Sequence, residues 1–263
     1  MIHKAIEIYR ARGWRGCLGA VSNRVGSSRK RCMTICRHAL TGVAALEIGG
    51  PSSIFMGGGL LPVYRLLASV DNCNYAATTQ WQARAETGPG TYRYEGASDP
   101  GTHFISEATC LESVDTAKYD VLICSHVLEH LSNPLKALNE WRRVVKTGGI
   151  LLIVVPCREG GFDHKRSVTM WSHLLDDFHG NVGEEDLTHL PEILKLHDLS
   201  RDPGAGTLEA FRTRSQRNID NRCLHHHVFN EELVGRSLEH AGCQVLALER
   251  FAPDDLVVIA RTL

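Results

Sequence analysis

The chain has 263 residues, a formal net charge of −1 and 22% charged residues, the profile of an ordinary globular protein long enough for one large α/β domain. This near-neutral balance offers no general attraction for nucleic acid, and no apolar stretch reaches the ~20 residues of a membrane-spanning helix. Nine cysteines, odd in number and without a CxxC pair, point to reduced thiols in a cytoplasmic protein and not to a disulfide framework.

Residues 1–40 form a basic preface in which Lys4, Arg10, Arg12, Arg15, Arg24, Arg29, Lys30, Arg31 and Arg37 face a single acid, Glu7. Interspersed apolar residues suit short amphipathic helices. These would make a solvated face over the core or a peripheral contact with an anionic membrane surface. Residues 41–263 then alternate strand and helix as one domain. Val43–Gly49 is a compact apolar run with the form of a buried parallel strand, and Ala68–Asp71 ends a second. His103–Ser106 is a short third strand and Tyr119–Ser125 a fourth. Asn133–Val145 carries helical spacing that stops at Lys146, Gly148 and Gly149, and Gly149–Val155 is a fifth strand. The pattern breaks over 157–228, which is polar and rich in His, Asp, Glu and Arg. It resumes with a helix over Asn230–Ala241 and two strands, Gln244–Arg250 and Leu256–Thr262, joined by a hairpin-length link. The expected architecture is α/β: a doubly wound, mostly parallel seven-stranded sheet with an antiparallel C-terminal hairpin.

Ligands of such sheets bind beyond the carboxyl ends of the strands. Glu47, Gly49 and Gly50 close the first strand, where glycines let backbone approach a ligand. Asp71, about twenty residues on, can accept hydrogen bonds from both ribose hydroxyls of a nucleoside.

The block Tyr119–Pro156, with Ser125-His126-Val127-Leu128-Glu129-His130-Leu131 after the fourth strand, closely resembles the class I methyltransferases that use S-adenosylmethionine (SAM). The resemblance implies a Rossmann-like fold, with Glu47, Gly49 and Gly50 at the methionine portion of SAM and Asp71 at its ribose. It also puts Ser125 and His126 beside the methyl donor. Glu107 is the candidate for adenine by its position after the third strand. One departure is plain: Gly50 is followed by Pro51-Ser52-Ser53 where the family carries further glycines.

The insertion 157–228 follows the fifth strand and is where an acceptor should bind. A histidine paired with a carboxylate could act as general base, and His130, His164 and His226 are the candidates. Lys165, Arg166 and Arg222 could clamp a phosphate or carboxylate of the acceptor. A divalent metal is a third possibility, but there is no HExxH and Pro191 separates His189 from Glu192, so no metal is expected. Of His225, His226 and His227 at most two can face one site, because neighbouring side chains point apart. The insertion is also similar to that of methyltransferases associated with bacterial surface glycans, which implies a small-molecule or carrier-linked glycan acceptor. Two alternatives stand beside this reading. A non-catalytic SAM-fold binding protein would account for the altered glycine loop. A nicotinamide-dependent oxidoreductase would need G-x-G-x-x-G, which is missing.

Overall fold

The computed structural model describes residues 31–82, 84–251 and 255–263. The basic preface before Arg31, with its expected membrane contact, lies outside the described residues. Helix α1 (Arg31–Ala39) packs on the sheet through the buried Cys32, Met33 and Cys36. The first strands are β1 (Ala44–Ile48), β2 (Ser69–Asn74), β3 (Gly88–Tyr92), β4 (Gly101–Ile105) and β5 (Tyr119–Ser125). Helix α2 (Pro134–Val144) leads into β6 (Val145–Pro156). The chain closes with α7 (Glu231–His240), β7 (Cys243–Phe251) and β8 (Asp255–Thr262). Between β6 and α7 run α3 (Trp171–His179), α4 (Leu190–Leu196), α5 (Leu208–Gln216) and the single turn α6 (Asn218–Asn221).

One sheet of eight strands has the order β3-β4-β2-β1-β5-β6-β8-β7. Strands β4, β2, β1, β5 and β6 run parallel, while β8 enters antiparallel between β6 and β7. The C-terminal hairpin is therefore as expected. The count is not: β3 is an eighth strand, antiparallel to β4 at the edge. Its sequence, GPGTY, reads as a turn, and proline and glycine survive in a strand only at such an edge.

Two apolar layers cover the sheet. One holds Leu46, Leu122 and Leu151 against Leu138 and Trp141 of α2 and Leu238 of α7. The other holds Ala45, Val121 and Leu152 against α1 and the 53–66 segment, through Phe55 and Tyr64. Both long helices start where their caps dictate: Asn133 accepts from the Lys136 amide and Asn230 from the Leu233 amide. The insertion has only a small apolar nucleus of Ile193, Ala205, Phe211 and Leu224. Its interior also contains Asp163, Arg166, Asp177, Glu184, Arg222, His225, His226 and His227. The described cysteines form no disulfide, and no described helix is long and apolar enough to cross a membrane.

Candidate active site

The turn after β1 is built for close backbone approach. Gly49 has a φ of +80°, and a Cβ there would fall 2.7 Å from Val127 Cγ2. A Cβ on Gly50 would overlap the Glu47 carboxyl, 2.2 Å from its Cδ. Asn72 accepts the Gly50 amide at 2.9 Å, and the Asn74 side chain donates to the Gly50 carbonyl at 3.2 Å. These two asparagines, both buried, were missed in the sequence because Asn is depleted in strands. Glu47 is fully buried and turned inward. It accepts from the Tyr64 hydroxyl at 2.7 Å, the Tyr92 hydroxyl at 2.5 Å and the Ser52 amide at 3.0 Å. Burial pushes its carboxyl up, and those donors oppose the shift. Glu47 thus braces the turn instead of facing a ligand, which corrects its assignment to cofactor contact.

Asp71 is corrected as well. Strand β2 runs three residues beyond it, to Asn74, so Asp71 is opposite Leu46 in mid-sheet. Its carboxylate accepts from the Thr102 amide at 2.7 Å and the Tyr119 hydroxyl at 2.6 Å, at the starts of β4 and β5. Those starts form the amino-terminal edge of the parallel strands, opposite the Gly49 turn. A ribose at the carboxyl edge is out of its reach.

Ser125 ends β5 and His126 follows it. His126 has a φ of +54°, and its ring lies 2.9 Å from Asp255 Oδ1 and 3.3 Å from Glu129 Oε1. Burial alone would lower its pKa, but the two carboxylates prevail and raise it to about 10. Glu129 is fully buried, and neither carboxylate oxygen has a hydrogen bond. Burial opposes its charge, yet His126 holds the carboxyl below its usual range. His130 donates from Nδ1 to the Leu224 carbonyl at 3.1 Å, which leaves its lone pair on Nε2. Burial and His225 push its pKa down to about 4, so the ring is neutral near pH 7.

The sequence named His226 as a base, but it is His225, and not His226, whose ring borders His130. His225 is bonded through Nδ1 to Asp163 Oδ2 at 2.6 Å, and its ring meets His130 edge-on at 4.5 Å. One ligating atom each from Glu129, His130 and His225 lies within 4.8 Å of the others. Asp163 in turn binds Arg166 at 3.0 Å. Burial works against its ionisation, but His225 and Arg166 hold it down to about 2. Trp81, 63% exposed, lies beside the His130 ring at 5.3 Å. The alternation of the triple histidine limited the choice, and only the fold selected the member.

The other candidates are occupied elsewhere. His226 is fully buried against Asn218 at 3.0 Å, and burial lowers its pKa to about 3, so no substrate reaches it. His164 and Lys165 both turn to Asp198, at 3.5 and 3.3 Å. Arg166 is buried and spans Asp163, Glu192 and the carbonyls of His225 and His226; it is a structural brace and not an anion clamp. Arg222 bridges Glu107 at 2.6 Å and Glu184 at 2.9 Å. Glu107 does stand past the end of β4, with its carboxylate already paired.

Among the described residues, three groups of His and carboxylate could hold a cation. They are the Glu129 group, His173–Asp177–His189–His227, and Asp186–His189–His226.

Among solved structures the chain is similar to the trans-methyltransferase CalH in complex with SAH, at 15% identity and a TM-score of 0.47; the match covers 98% of this chain and 62% of that one. It is similar to a SAM-dependent methyltransferase from Aquifex aeolicus at 14% identity and a TM-score of 0.45, covering 93% of this chain and 98% of the other. A putative methyltransferase from Bacillus halodurans matches at 12% identity and a TM-score of 0.45, covering 88% and 96%. No curated protein matches in sequence. The sequence profile of a methyltransferase domain matches residues 85–248, from β3 through the insertion and into β7. Over that span, well above half of its length, the chain belongs to the methyltransferase domain family.

Proposed function

We propose that this enzyme methylates an oxygen (or nitrogen) of a small-molecule or carrier-linked glycan acceptor, with His225 as its general base. The reading is carried by the 2.6 Å bond from His225 Nδ1 to Asp163. A carboxylate there fixes the tautomer, leaves the lone pair on Nε2 and stabilises the imidazolium formed when that nitrogen takes a proton. An amine can lose its proton to water after transfer. A hydroxyl gains most from a base before attack, so the arrangement favours an oxygen acceptor.

SAM supplies a methyl group on a positively charged sulfur, so the methyl is already activated. The residues fit such a ligand. The Gly49–Gly50 turn, whose close packing on Val127 and Glu47 excludes any Cβ, presents its backbone beside the end of β5. There Glu129 keeps a buried carboxylate paired with His126 at 3.3 Å, which adds negative charge at this edge. Gly49, Gly50, Ser125 and Glu129 would hold it. Trp81, exposed beside His130, offers a flat apolar face of the kind on which a sugar ring can lie. It supports the glycan-precursor reading, as does the absence of a net basic charge that would favour nucleic acid.

The test is release of SAH by the full chain with nucleotide-linked and lipid-linked sugars and simpler alcohols as acceptors. His225→Gln and Asp163→Asn should each lower kcat by roughly 10²–10⁴, while the SAM affinity measured by calorimetry stays the same. Full kcat in His225→Gln would remove the base assignment.

A further inference from the structure

The insertion contains a second histidine cluster that methyl transfer does not use. His173 and Asp177 stand one turn apart on α3, so they share a face. His189 precedes α4, and His227 ends the triple histidine. One ligating atom from each of the four lies within 4.8 Å of the others. His173 Nε2 is 2.7 Å from His189 Nε2 and 3.4 Å from Asp177 Oδ2. Asp177 Oδ2 is also 3.7 Å from His227 Nε2.

A simple imidazole–imidazole hydrogen bond accounts for the first of these contacts but not for what surrounds it. Asp177 is 6% exposed and His227 1% exposed, yet Asp177 Oδ2 and His227 Nδ1 have no hydrogen bond. His227 Nε2 faces the Ser132 carbonyl at 3.2 Å. A carbonyl only accepts, so the proton is on Nε2 and Nδ1 keeps its lone pair. Behind His189, Asp186 Oδ2 is 3.4 Å from Nδ1, the outer carboxylate that typically orients a metal-bound imidazole. A buried carboxylate oxygen and a buried imidazole lone pair left without donors are costly unless a cation joins them.

The rival group of Asp186, His189 and His226 fails on tautomer. The Leu224 amide donates to Asn218 Oδ1, so the Asn218 amide nitrogen must donate to His226 Nε2. The proton of His226 is therefore on Nδ1, the nitrogen nearest Asp186 at 3.9 Å, and it has no lone pair to offer there. The Glu129 group belongs to the active site.

We propose that His173, Asp177, His189 and His227 bind one divalent transition-metal ion of the zinc class, as a structural tie for the insertion. Three imidazoles and one carboxylate make a closed four-ligand set, which suits a structural site and not a catalytic one. Tetrahedral bonds of about 2.0–2.1 Å imply ligand edges of about 3.3 Å, between the 2.7 Å His173–His189 and 3.4 Å His173–Asp177 separations, and His227 would bind through Nδ1. The ion would join α3, the start of α4 and the 225–227 segment, none of which the apolar nucleus holds together on its own.

The experiment uses the full chain, stripped by chelation and titrated with Zn²⁺. We expect about one equivalent bound with a Kd below about 1 µM, and a melting temperature roughly 5–10 °C higher than in the stripped protein. Substituting Co²⁺ should give the visible absorption of a four-coordinate site, a readout that needs no variant. Asp177→Asn should lose both the tight binding and the thermal shift while still binding SAM, since the cluster does not touch the Gly49 turn. Binding only at millimolar Zn²⁺, or tight binding unchanged in Asp177→Asn, would overturn the proposal.

Discussion

The sheet and the insertion are stabilised by different physics. In the sheet, burial is apolar and spread over many residues, such as Leu46, Leu122, Leu152 and Trp141. Each contributes in proportion to the area it removes from water, with little dependence on orientation. In the insertion, four apolar side chains form a separate nucleus, Leu174 joins the core of the sheet, and much of the remaining interior is charged or imidazole. There each group is stable only while its partner is in place, so stability is concentrated in a few directional contacts.

The largest test of that contrast is Arg166→Ala. It strips the buried partner from Asp163 and two backbone carbonyls and should cost about 3–5 kcal/mol in urea unfolding. Leu152→Ala, a sheet residue, should cost about 2–5 kcal/mol through its cavity alone. Adding salt or acid should change only the first. A cost for Arg166→Ala below about 1 kcal/mol would mean the polar centre is not what holds the insertion. Gly50→Ala forces a Cβ against the Glu47 carboxyl, which should cost about 1–3 kcal/mol. The same change should weaken SAM binding at least tenfold by calorimetry, because the brace and the turn are one structure.

Acid sharpens the comparison further. Asp163 has its pKa held from 3.8 down to about 2 in the folded chain. A depressed carboxylate gives stability that is fully present above its unfolded pKa and is lost as pH falls through the folded one. That amounts to about 2 kcal/mol. Unfolding followed between about pH 5 and pH 2 should show this slope, and Asp163→Asn should flatten it. The smallest expected effect is Asp71→Asn. It should cost about 1 kcal/mol of stability through the Tyr119 and Thr102 bonds and leave SAM affinity within about twofold. A collapse of SAM binding in that variant would return Asp71 to the cofactor site.

Most of the parallel sheet was legible in the chain because β1, β5 and β6 are short apolar runs, too short for buried helices and bounded by turn signals. Helices α2 and α7 were legible from their caps, Asn133 and Asn230, and their apolar spacing. Strand β3 was not, because its glycines and proline carry a turn signal and only Tyr92 has a reason to be inside. The site was half visible. Ser125, His126, Glu129 and His130 follow directly from the end of β5. Asp71 was misread because nothing in the local sequence says that β2 continues for three more residues.

What the sequence determined by itself is the alternation of apolar runs and capped helices, and with it a mostly parallel α/β sheet closed by an antiparallel hairpin. Those features depend on periodicity, which is local. What the tertiary structure decided is which polar group meets which: Glu47 with two tyrosines, Asp163 with His225, and Asp177 with three histidines. Such pairings join residues from distant parts of the chain, and their energies depend on ångström-scale distance and on which nitrogen carries the proton. Composition and spacing carry neither.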